Sequence, residues 1–277
     1  MKIFKVNLEG DILNMKFIKN AAAYVLDMDG TFYLGNCLLP GAVEFLEFLN
    51  QRGIPFCFLT NNSSKSPKDY QDKLIRLGVK PDDARVYTSG DATIAYLKHH
   101  YPEKRLYLLG TDSLQKQFIE AGLNTNEREP ELAVLAYDTQ VTYERLTAFC
   151  DLVRKGLPYI ATHPDINCPV EGGFAPDAGA FMALIEASAG RKPDIVIGKP
   201  NPLIIEGAAE RLNVSTQDVV MVGDRLYTDI MLGSTAGVGT VLVLSGETTP
   251  EDMGASVVKP DLVCQDLGDL RRYLASE

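Results

Sequence analysis

Two aspartates separated by a single residue, Asp27 and Asp29, end the apolar run Tyr-Val-Leu and precede Gly30 and Thr31. Carboxylates this close repel each other and lose hydration when they are buried, so a cation is expected to balance them. Three other polar segments also follow apolar runs: Thr60-Asn61-Asn62-Ser63, Gly198-Lys199-Pro200-Asn201-Pro202 and Gly223-Asp224-Arg225-Leu226-Tyr227-Thr228-Asp229. Together the four segments offer four carboxylates, one lysine and several hydroxyl and amide groups.

The chemistry that these residue types favour is phosphoryl transfer with a divalent metal. Carboxylate oxygens without clustered histidine or cysteine suit Mg²⁺, which bridges to a substrate phosphate. A carboxylate about 4 Å from one unit of like charge is repelled by about 4 kcal/mol at an effective dielectric near 20. Mg²⁺ and Lys199 would offset that repulsion, so that one aspartate of the pair attacks phosphorus and the other handles a proton.

The segments that must position these groups alternate between short β-rich runs and amphipathic runs. Predicted strands include AYVL, PFCFLT, ARVYT and DVVMVG, and predicted helices include AVEFLEFLNQRG and SPKDYQDKLIRLG. This alternation predicts an α/β fold with a parallel sheet covered on both faces, in which ligands bind beyond the carboxyl ends of the strands. Between His100 and Asp194 the pattern continues, and composition leaves open whether this stretch extends one sheet or forms a separate module.

Two helix starts are expected near the same edge of the sheet. Asn201 can cap a helix that has Pro202 in its first turn, and Ser66 to Asp69 resemble a capped helix start after the Thr60 segment. Helix N-termini attract anions, which suits a phosphate site. The glycine-containing run GSTAGVG is interpreted as a helix end and turn rather than as a nucleotide-binding loop.

Composition excludes several classes of function. At 277 residues the length favours two domains, and a formal net charge of −10 argues against nucleic-acid binding. The five cysteines are scattered without a CxxC pair, which suits a reducing cytoplasm. No apolar run has the length of a membrane helix, and no signal peptide is evident. A cytoplasmic protein without a membrane partner is predicted. Residues 1–14 are either a short extra strand or an upstream extension.

The motifs LDMDGTFYLGN, TNNSS, GKPNP, VGDRLYTDI and GETTPED, in this order, resemble the haloacid dehalogenase-like superfamily of phosphohydrolases, and within it the NagD-like, 4-nitrophenyl-phosphatase branch. The resemblance extends from Ala21 to the end of the chain. It implies a Rossmann-like parallel-sheet core with a large inserted α/β cap domain. The implied core comprises residues 1–102 and 194–277, and the implied cap comprises residues 103–193.

The resemblance also implies a role for each motif residue. Asp27 is similar to the nucleophile, Asp29 to the general acid/base, and Lys199 to the lysine that stabilises the phospho-enzyme. The residues that resemble phosphate or substrate binders are Gly30, Thr60, Asn61, Asn62 and Lys199. The Mg²⁺ site implied by the family comprises Asp27, Asp29 through its carbonyl, and Asp224, with Asp229 acting from behind these ligands or through a water.

Within the implied cap, the segment 161–179 resembles a substrate-facing loop. His163, Asp165, Asn167 and Cys168 are its candidates for substrate contact. Relatives also suggest a homodimer formed through the cap. Tyr227 stands where relatives often have an acidic residue, which would alter the charge at the edge of the site.

The predicted function is Mg²⁺-dependent hydrolysis of a small phosphorylated metabolite through an aspartyl-phosphate, with an aryl phosphate such as 4-nitrophenyl phosphate as a generic substrate. Two alternatives stay open. One is a phosphoryl transferase or phosphomutase with the same core, and the other is a non-catalytic module that binds a phosphate ligand. The intact pair Asp27 and Asp29 argues against the second alternative, because loss of either acid would be the simplest route to an inactive site.

Overall fold

A computed structural model of the protein describes residues 17–125, 128–170 and 172–276. The prediction for residues 1–14 lies outside these described residues. The described chain alternates strands and helices throughout, and the predicted α/β class is confirmed. Among the described residues, no helix is both long enough and apolar enough to cross a membrane.

The strands are short, as expected for a sheet whose connections are helices. In chain order they are β1 Ala23–Leu26, β2 Tyr33–Leu34, β3 Cys37–Leu38, β4 Phe56–Thr60, β5 Val86–Thr88, β6 Arg105–Leu109, β7 Asn124–Thr125, β8 Leu132–Leu135, β9 Tyr159–Ala161, β10 Asn167–Val170, β11 Gly173–Pro176, β12 Ile195–Val196, β13 Val219–Gly223, β14 Gly239–Val243 and β15 Leu262–Cys264. The strands predicted from AYVL, PFCFLT, ARVYT and DVVMVG all form.

The helices connect these strands. They are α1 Ala42–Gln51, α2 Pro67–Arg76, α3 Ser89–His100, α4 Asp112–Glu120, α5 Tyr143–Arg154, α6 Ala178–Ala189, α7 Pro202–Leu212, α8 Met231–Ala236, α9 Pro250–Ala255 and α10 Leu267–Ala275. Both predicted helix starts are confirmed. The Asn201 side chain accepts a hydrogen bond from Leu203 N, and Ser66 Oγ accepts one from Asp69 N.

The larger sheet has six strands in the order β15-β14-β13-β1-β4-β5. Strand β1 lies near its centre and runs parallel to both neighbours, with Leu26 opposite Val222 of β13 and Phe58 of β4. Every residue of β1, β4, β13 and β14 is buried, which explains why their sequences are continuous apolar runs rather than alternating ones. The carboxyl ends of β1 and β13 therefore reach the same edge of the sheet.

A second sheet has five strands in the order β12-β9-β8-β6-β7, all in parallel pairs. Its core is built on apolar side chains such as Leu135, Phe149 and Tyr159. The segment predicted to be a substrate-facing loop contains an antiparallel hairpin, β10–β11, in which Cys168 pairs with Ala175. A smaller hairpin, β2–β3, follows the Asp27 segment directly.

The described residues divide into two compact units. The first comprises those up to Leu59, then Gln71–Val86, and those from Pro200 onwards. The second comprises Thr60–Tyr70 and Tyr87–Lys199. The core and cap boundaries expected from the family, at residues 102/103 and 193/194, stay predictions, as does a homodimer formed through the cap.

Candidate active site

Three buried aspartates come together in the first unit. Asp27 directly follows β1 and Asp224 directly follows β13, so the pairing of these two strands places both residues at one edge of the sheet. Asp229 comes from a π-helical turn, Leu226–Ile230, that precedes α8. One oxygen from each of the three carboxylates lies within 4.8 Å of the others. Three hard oxygen donors at this spacing are a donor set that fits a divalent cation such as Mg²⁺.

Hydrogen bonds fix the orientation of two of these carboxylates. Thr31 Oγ1 donates to Asp224 Oδ1 at 3.3 Å, and the main-chain N–H of Glu247 donates to Asp224 Oδ2 at 2.7 Å. The main-chain N–H of Arg225 donates to Asp229 Oδ2 at 3.1 Å. Each bond stabilises the charged form of its acceptor, and each leaves further lone pairs on the carboxylate for other partners.

Glycines allow the close approach of backbone to these carboxylates. A Cβ on Gly30 would lie 2.4 Å from Asp224 Oδ2, and Gly30 also has a φ of 90°. A Cβ on Gly246 would lie 2.0 Å from the same oxygen, and one on Gly223 would lie 2.3 Å from Asp229 Cγ. The predicted substrate-binding role of Gly30 stays a prediction. In the structure, the absence of a side chain at Gly30 leaves space for the Asp224 carboxylate.

Asp29 has an environment that differs from that of the three clustered aspartates. Burial raises the pKa of its carboxyl group, and the positive charges of Lys73 and Arg225 only partly oppose that effect. A carboxyl group with a raised pKa keeps its proton to a higher pH, which is the property that a general acid needs. The raised pKa is compatible with the general acid/base role expected for Asp29, which stays a prediction.

Arg225 is a cation beside the cluster that the sequence reasoning missed. Burial alone would lower the pKa of its guanidinium, but Asp27, Tyr227, Glu247 and Asp224 raise it overall. Arg225 Nε lies 2.9 Å from one carboxylate oxygen of Glu247, and the Tyr227 hydroxyl donates to the other at 2.8 Å. Tyr227 is therefore hydrogen-bonded to an acidic residue, Glu247, which belongs to the motif GETTPED. The only available signal for Arg225 was its position inside the motif GDRLYTD.

In the second unit, the segment after β4 forms a tight polar turn. The main-chain N–H of Asn62 donates to Thr60 Oγ1 at 3.2 Å. Asn62 Oδ1 accepts bonds from Ser64 N at 3.0 Å and Ser64 Oγ at 2.7 Å. The side chain of Asn62 also donates to Cys168 Sγ at 3.5 Å. This turn holds the Thr60 hydroxyl and the following amides in one conformation.

Asn61 and Lys199 are both buried and are directly bonded to each other. Asn61 Oδ1 accepts from Lys199 N at 2.7 Å, and Asn61 Nδ2 donates to Lys199 O at 3.0 Å. Asn61 Nδ2 also donates to Asp165 Oδ1 at 3.0 Å. The carboxamide is thus directed towards protein partners, so a phosphate contact from Asn61 would have to come from its main-chain N–H.

His163 is fully buried, and both of its ring nitrogens have protein partners. Nδ1 lies 2.9 Å from Thr162 Oγ1, and Nε2 lies 2.8 Å from Asp177 Oδ1. Burial lowers the pKa of the imidazole, but the carboxylates of Asp177 and Asp165 raise it overall. Asp177, which also caps α6, was not singled out from the sequence; its place just before a helical run was the available signal. The predicted substrate contact of His163 stays a prediction, and it would have to share or replace these bonds.

Among the other candidates of segment 161–179, Asn167 is exposed at the start of β10, and Cys168 is partly buried beside Asn62. Cys57 and Cys150 are both buried.

Replacement of Gly198 by alanine is expected to destabilise the protein by about 1–3 kcal/mol because the added methyl group overpacks the site. Its Cβ would lie 2.6 Å from Asn61 Oδ1, 2.7 Å from His163 Cβ and 2.8 Å from Thr162 O. Urea unfolding of Gly198→Ala measures the loss. Gly254→Ala is the matched control, because nothing lies within 4 Å of that Cβ and its position in α9 favours alanine. Equal stability of the two variants would contradict the steric explanation.

Comparison with known proteins assigns the segments that carry the candidate site residues to one family. A family model described as haloacid dehalogenase-like hydrolase matches residues 24–124, and a second, HAD-hydrolase-like model matches residues 196–270. The first match contains Asp27, Asp29 and Thr60, and the second contains Lys199 and Asp224. All four polar segments picked out from the sequence therefore lie in matched regions.

Full-length relatives and solved structures agree with this assignment. The acid sugar phosphatase of Staphylococcus haemolyticus is 38% identical over 251 residues, which cover 90% of this chain and 95% of that protein. The crystal structure of 4-nitrophenylphosphatase from Thermotoga maritima has a TM-score of 0.89 and 50% identity, covering 92% of this chain and 98% of that one. NagD from E. coli K-12 has a TM-score of 0.83 and 30% identity, covering 90% and 98%. Because the family models match both ends of the chain and the relatives cover at least 90% of it, the chain belongs to the haloacid dehalogenase-like hydrolase family.

Proposed function

We propose that this protein is a Mg²⁺-dependent phosphatase that hydrolyses small phosphomonoesters through an aspartyl-phosphate on Asp27. The observation that carries the proposal is the buried cluster of Asp27, Asp224 and Asp229, with Asp29 nearby in the sequence and carrying a raised pKa. Clustered carboxylates alone would repel a phosphate, so the arrangement is useful for phosphoryl transfer only when a cation is bound.

The residues that would hold Mg²⁺ are Asp27, Asp224 and Asp229, with the carbonyl of Asp29 as a further ligand implied by the family. Their donor set is made of oxygen atoms alone, which is the preference of this ion. When bound, Mg²⁺ neutralises part of the charge on the carboxylates and on the phosphate, so that an anionic nucleophile can approach phosphorus. Asp229 is fully buried, and its carboxylate is already oriented by Arg225 N.

The chemical steps are assigned to residues of this chain. A carboxylate oxygen of Asp27 attacks phosphorus, and the bond between phosphorus and the leaving oxygen breaks. Asp29 gives its proton to that oxygen, which departs as an alcohol. Asp29, now a carboxylate, accepts a proton from a water molecule that attacks the aspartyl-phosphate, which releases inorganic phosphate and restores both acids.

Thr60, the main-chain amide of Asn61, and Lys199 are proposed to bind the phosphate oxygens, and Asn62 is proposed to orient the Thr60 hydroxyl. The Thr60 hydroxyl accepts a bond from Asn62 N, which leaves its own proton available to a phosphate oxygen. The Lys199 ammonium is proposed to stabilise charge that develops on the transferring group. These roles rest on the family resemblance and on the polar turn after β4.

The substrate class is proposed to be phosphomonoesters of small alcohols, with sugar phosphates and aryl phosphates as the first candidates. Proteins named acid sugar phosphatase and 4-nitrophenylphosphatase are 38% and 50% identical to this chain. A net charge of −10 and the absence of a basic composition disfavour large polyanions as substrates.

The proposal is tested by measuring phosphate release from a panel of sugar, glycerol and nucleoside monophosphates and 4-nitrophenyl phosphate. Each substrate is assayed with Mg²⁺ and, in parallel, with EDTA. We expect release with Mg²⁺ and a loss of at least about 100-fold with EDTA, since the carboxylate cluster loses its counter-charge. Transfer of phosphate to an added alcohol or sugar phosphate in preference to water would instead favour the phosphotransferase alternative. Equal release with and without metal would rule out the proposed mechanism.

A further inference from the structure

The side chain of Asn61 uses all of its hydrogen-bonding groups on protein partners. Its oxygen accepts from Lys199 N at 2.7 Å, and its amide nitrogen donates to Lys199 O at 3.0 Å and to Asp165 Oδ1 at 3.0 Å. A primary amide has two N–H groups, so both donors are accounted for. The carboxamide therefore holds the main chain of one residue, Lys199, at two points, much as a neighbouring strand would.

The main chain on the N-terminal side of Lys199 is held as well. Gly198 N donates to Thr162 O at 2.7 Å, and Gly198 has no room for a side chain beside Asn61. The main chain of Asn61 is itself fixed, because Ser89 Oγ donates to Asn61 O. Asn61 and Lys199 are only 4% and 3% exposed, so water cannot replace these bonds at low cost.

This geometry has a direct consequence for the lysine. A lysine side chain has a flexible four-carbon stem, and the place of its ammonium group depends on where the main chain sets the start of that stem. A displacement of about 1 Å in a reacting group can lower a rate about 100-fold. A residue that fixes the Lys199 main chain at two points would therefore affect turnover without touching the substrate.

We propose that Asn61 is a positioning residue that fixes Lys199 for catalysis, and that Asp165 couples the segment 161–179 to the same carboxamide. The proposal deepens the phosphatase function proposed above and rests on it for its kinetic part. Asp165 belongs to the segment 161–179, which is predicted to face the substrate, and it accepts from the Asn61 carboxamide, so movement of that segment would change the support of Lys199.

A double-mutant cycle between Asn61 and Lys199 tests the first half of the proposal. Asn61→Ala is expected to lower kcat about 100-fold in the wild-type background, with KM changed by less than about 3-fold. In a Lys199→Ala background the same substitution is expected to lower kcat by less than about 3-fold, because the group that it positions is gone. Equal losses in the two backgrounds, or a loss that appears in KM alone, would overturn the proposal.

A measurement that needs no activity separates this inference from the phosphatase proposal. Amide hydrogen exchange at Lys199 is expected to be slow in the wild type and at least about 10-fold faster in Asn61→Ala, because the acceptor of that N–H is removed. Asn50→Ala is the control of the same residue type: the Asn50 side chain donates to Asp83 and not to the Lys199 main chain, so Lys199 exchange should not change. Fast exchange at Lys199 in the wild type would refute the proposal that Asn61 fixes the Lys199 main chain, even if phosphatase activity were found.

The role of Asp165 is tested by two variants that differ in one property. Asp165→Asn keeps an acceptor oxygen for Asn61 Nδ2, whereas Asp165→Ala removes it. We expect Asp165→Ala to lower kcat at least about 10-fold more than Asp165→Asn does, with Lys199 exchange accelerated only in Asp165→Ala. Identical behaviour of the two variants would show that Asp165 does not act through this bond.

Discussion

The Asp27→Asn variant is expected to release phosphate at least about 10⁴-fold more slowly than the wild type, because an amide cannot replace a carboxylate as the attacking group. The substitution is nearly isosteric, and Asp27 N still donates to Val222 O at 2.8 Å, so the end of β1 should keep its place. Steady-state phosphate release with Mg²⁺ present measures the effect. Acid-quenched mixing with a ³²P-labelled substrate should trap labelled protein in the wild type and none in the variant.

The control for this experiment is a test that the variant is still folded. Thermal unfolding of Asp27→Asn should show a cooperative transition at or above the wild-type temperature, since one of three neighbouring carboxylates has been neutralised. Turnover within 10-fold of the wild type, in a variant whose mass confirms the amide, would eliminate Asp27 as the nucleophile and with it the covalent mechanism.

The Asp229→Asn variant is expected to bind Mg²⁺ about 10–100-fold more weakly and, without metal, to unfold at a higher temperature than the wild type. Two like charges 4.8 Å apart, the upper limit for these carboxylate oxygens, repel by about 3.5 kcal/mol at an effective dielectric near 20, and the variant removes this repulsion with both Asp27 and Asp224. Its remaining amide oxygen can still accept from Arg225 N. Calorimetric Mg²⁺ titration and thermal unfolding in EDTA measure the two effects.

Asp218→Asn provides the comparison for this second experiment. Asp218 is an exposed acid directly before β13 and outside the cluster, so its loss changes the net charge equally without touching the site. Neither Mg²⁺ affinity nor unfolding in EDTA should change. If Asp229→Asn were destabilised without metal, the proposed electrostatic strain in the cluster would be disproved.

The sequence was sufficient for those parts of the site that local rules determine. Asp27 and Asp224 follow apolar runs, and the ends of buried parallel strands meet at one edge of a sheet, so their proximity was predictable. The helix starts at Ser66 and Asn201 were predictable for the same reason, since a capped helix start depends on a few consecutive residues.

Other features depend on contacts between residues distant in the chain. Asn61 and Lys199 are 138 positions apart, and nothing in either motif indicates that the amide bonds the main chain of the lysine. His163 was a candidate because the segment 161–179 resembles a substrate-facing loop, and the sequence did not indicate that tertiary packing buries its ring against Asp177. The π-helical turn that precedes α8 and brings Asp229 close to Asp224 was likewise not predicted from the sequence.

The pairing of β1 with β13 has a further consequence for ion selection. Neighbouring strands are about 4.8 Å apart in any sheet, and here Asp27 and Asp224 are attached directly to two such strands. The register places Asp27 opposite Gly223, one residue before Asp224, so the span between the attachment points is set by the geometry of the β-sheet rather than by a loop that can adjust. A frame of this kind resists the expansion that a larger ion such as Ca²⁺ requires, and it suits an ion with a small and strict coordination shell.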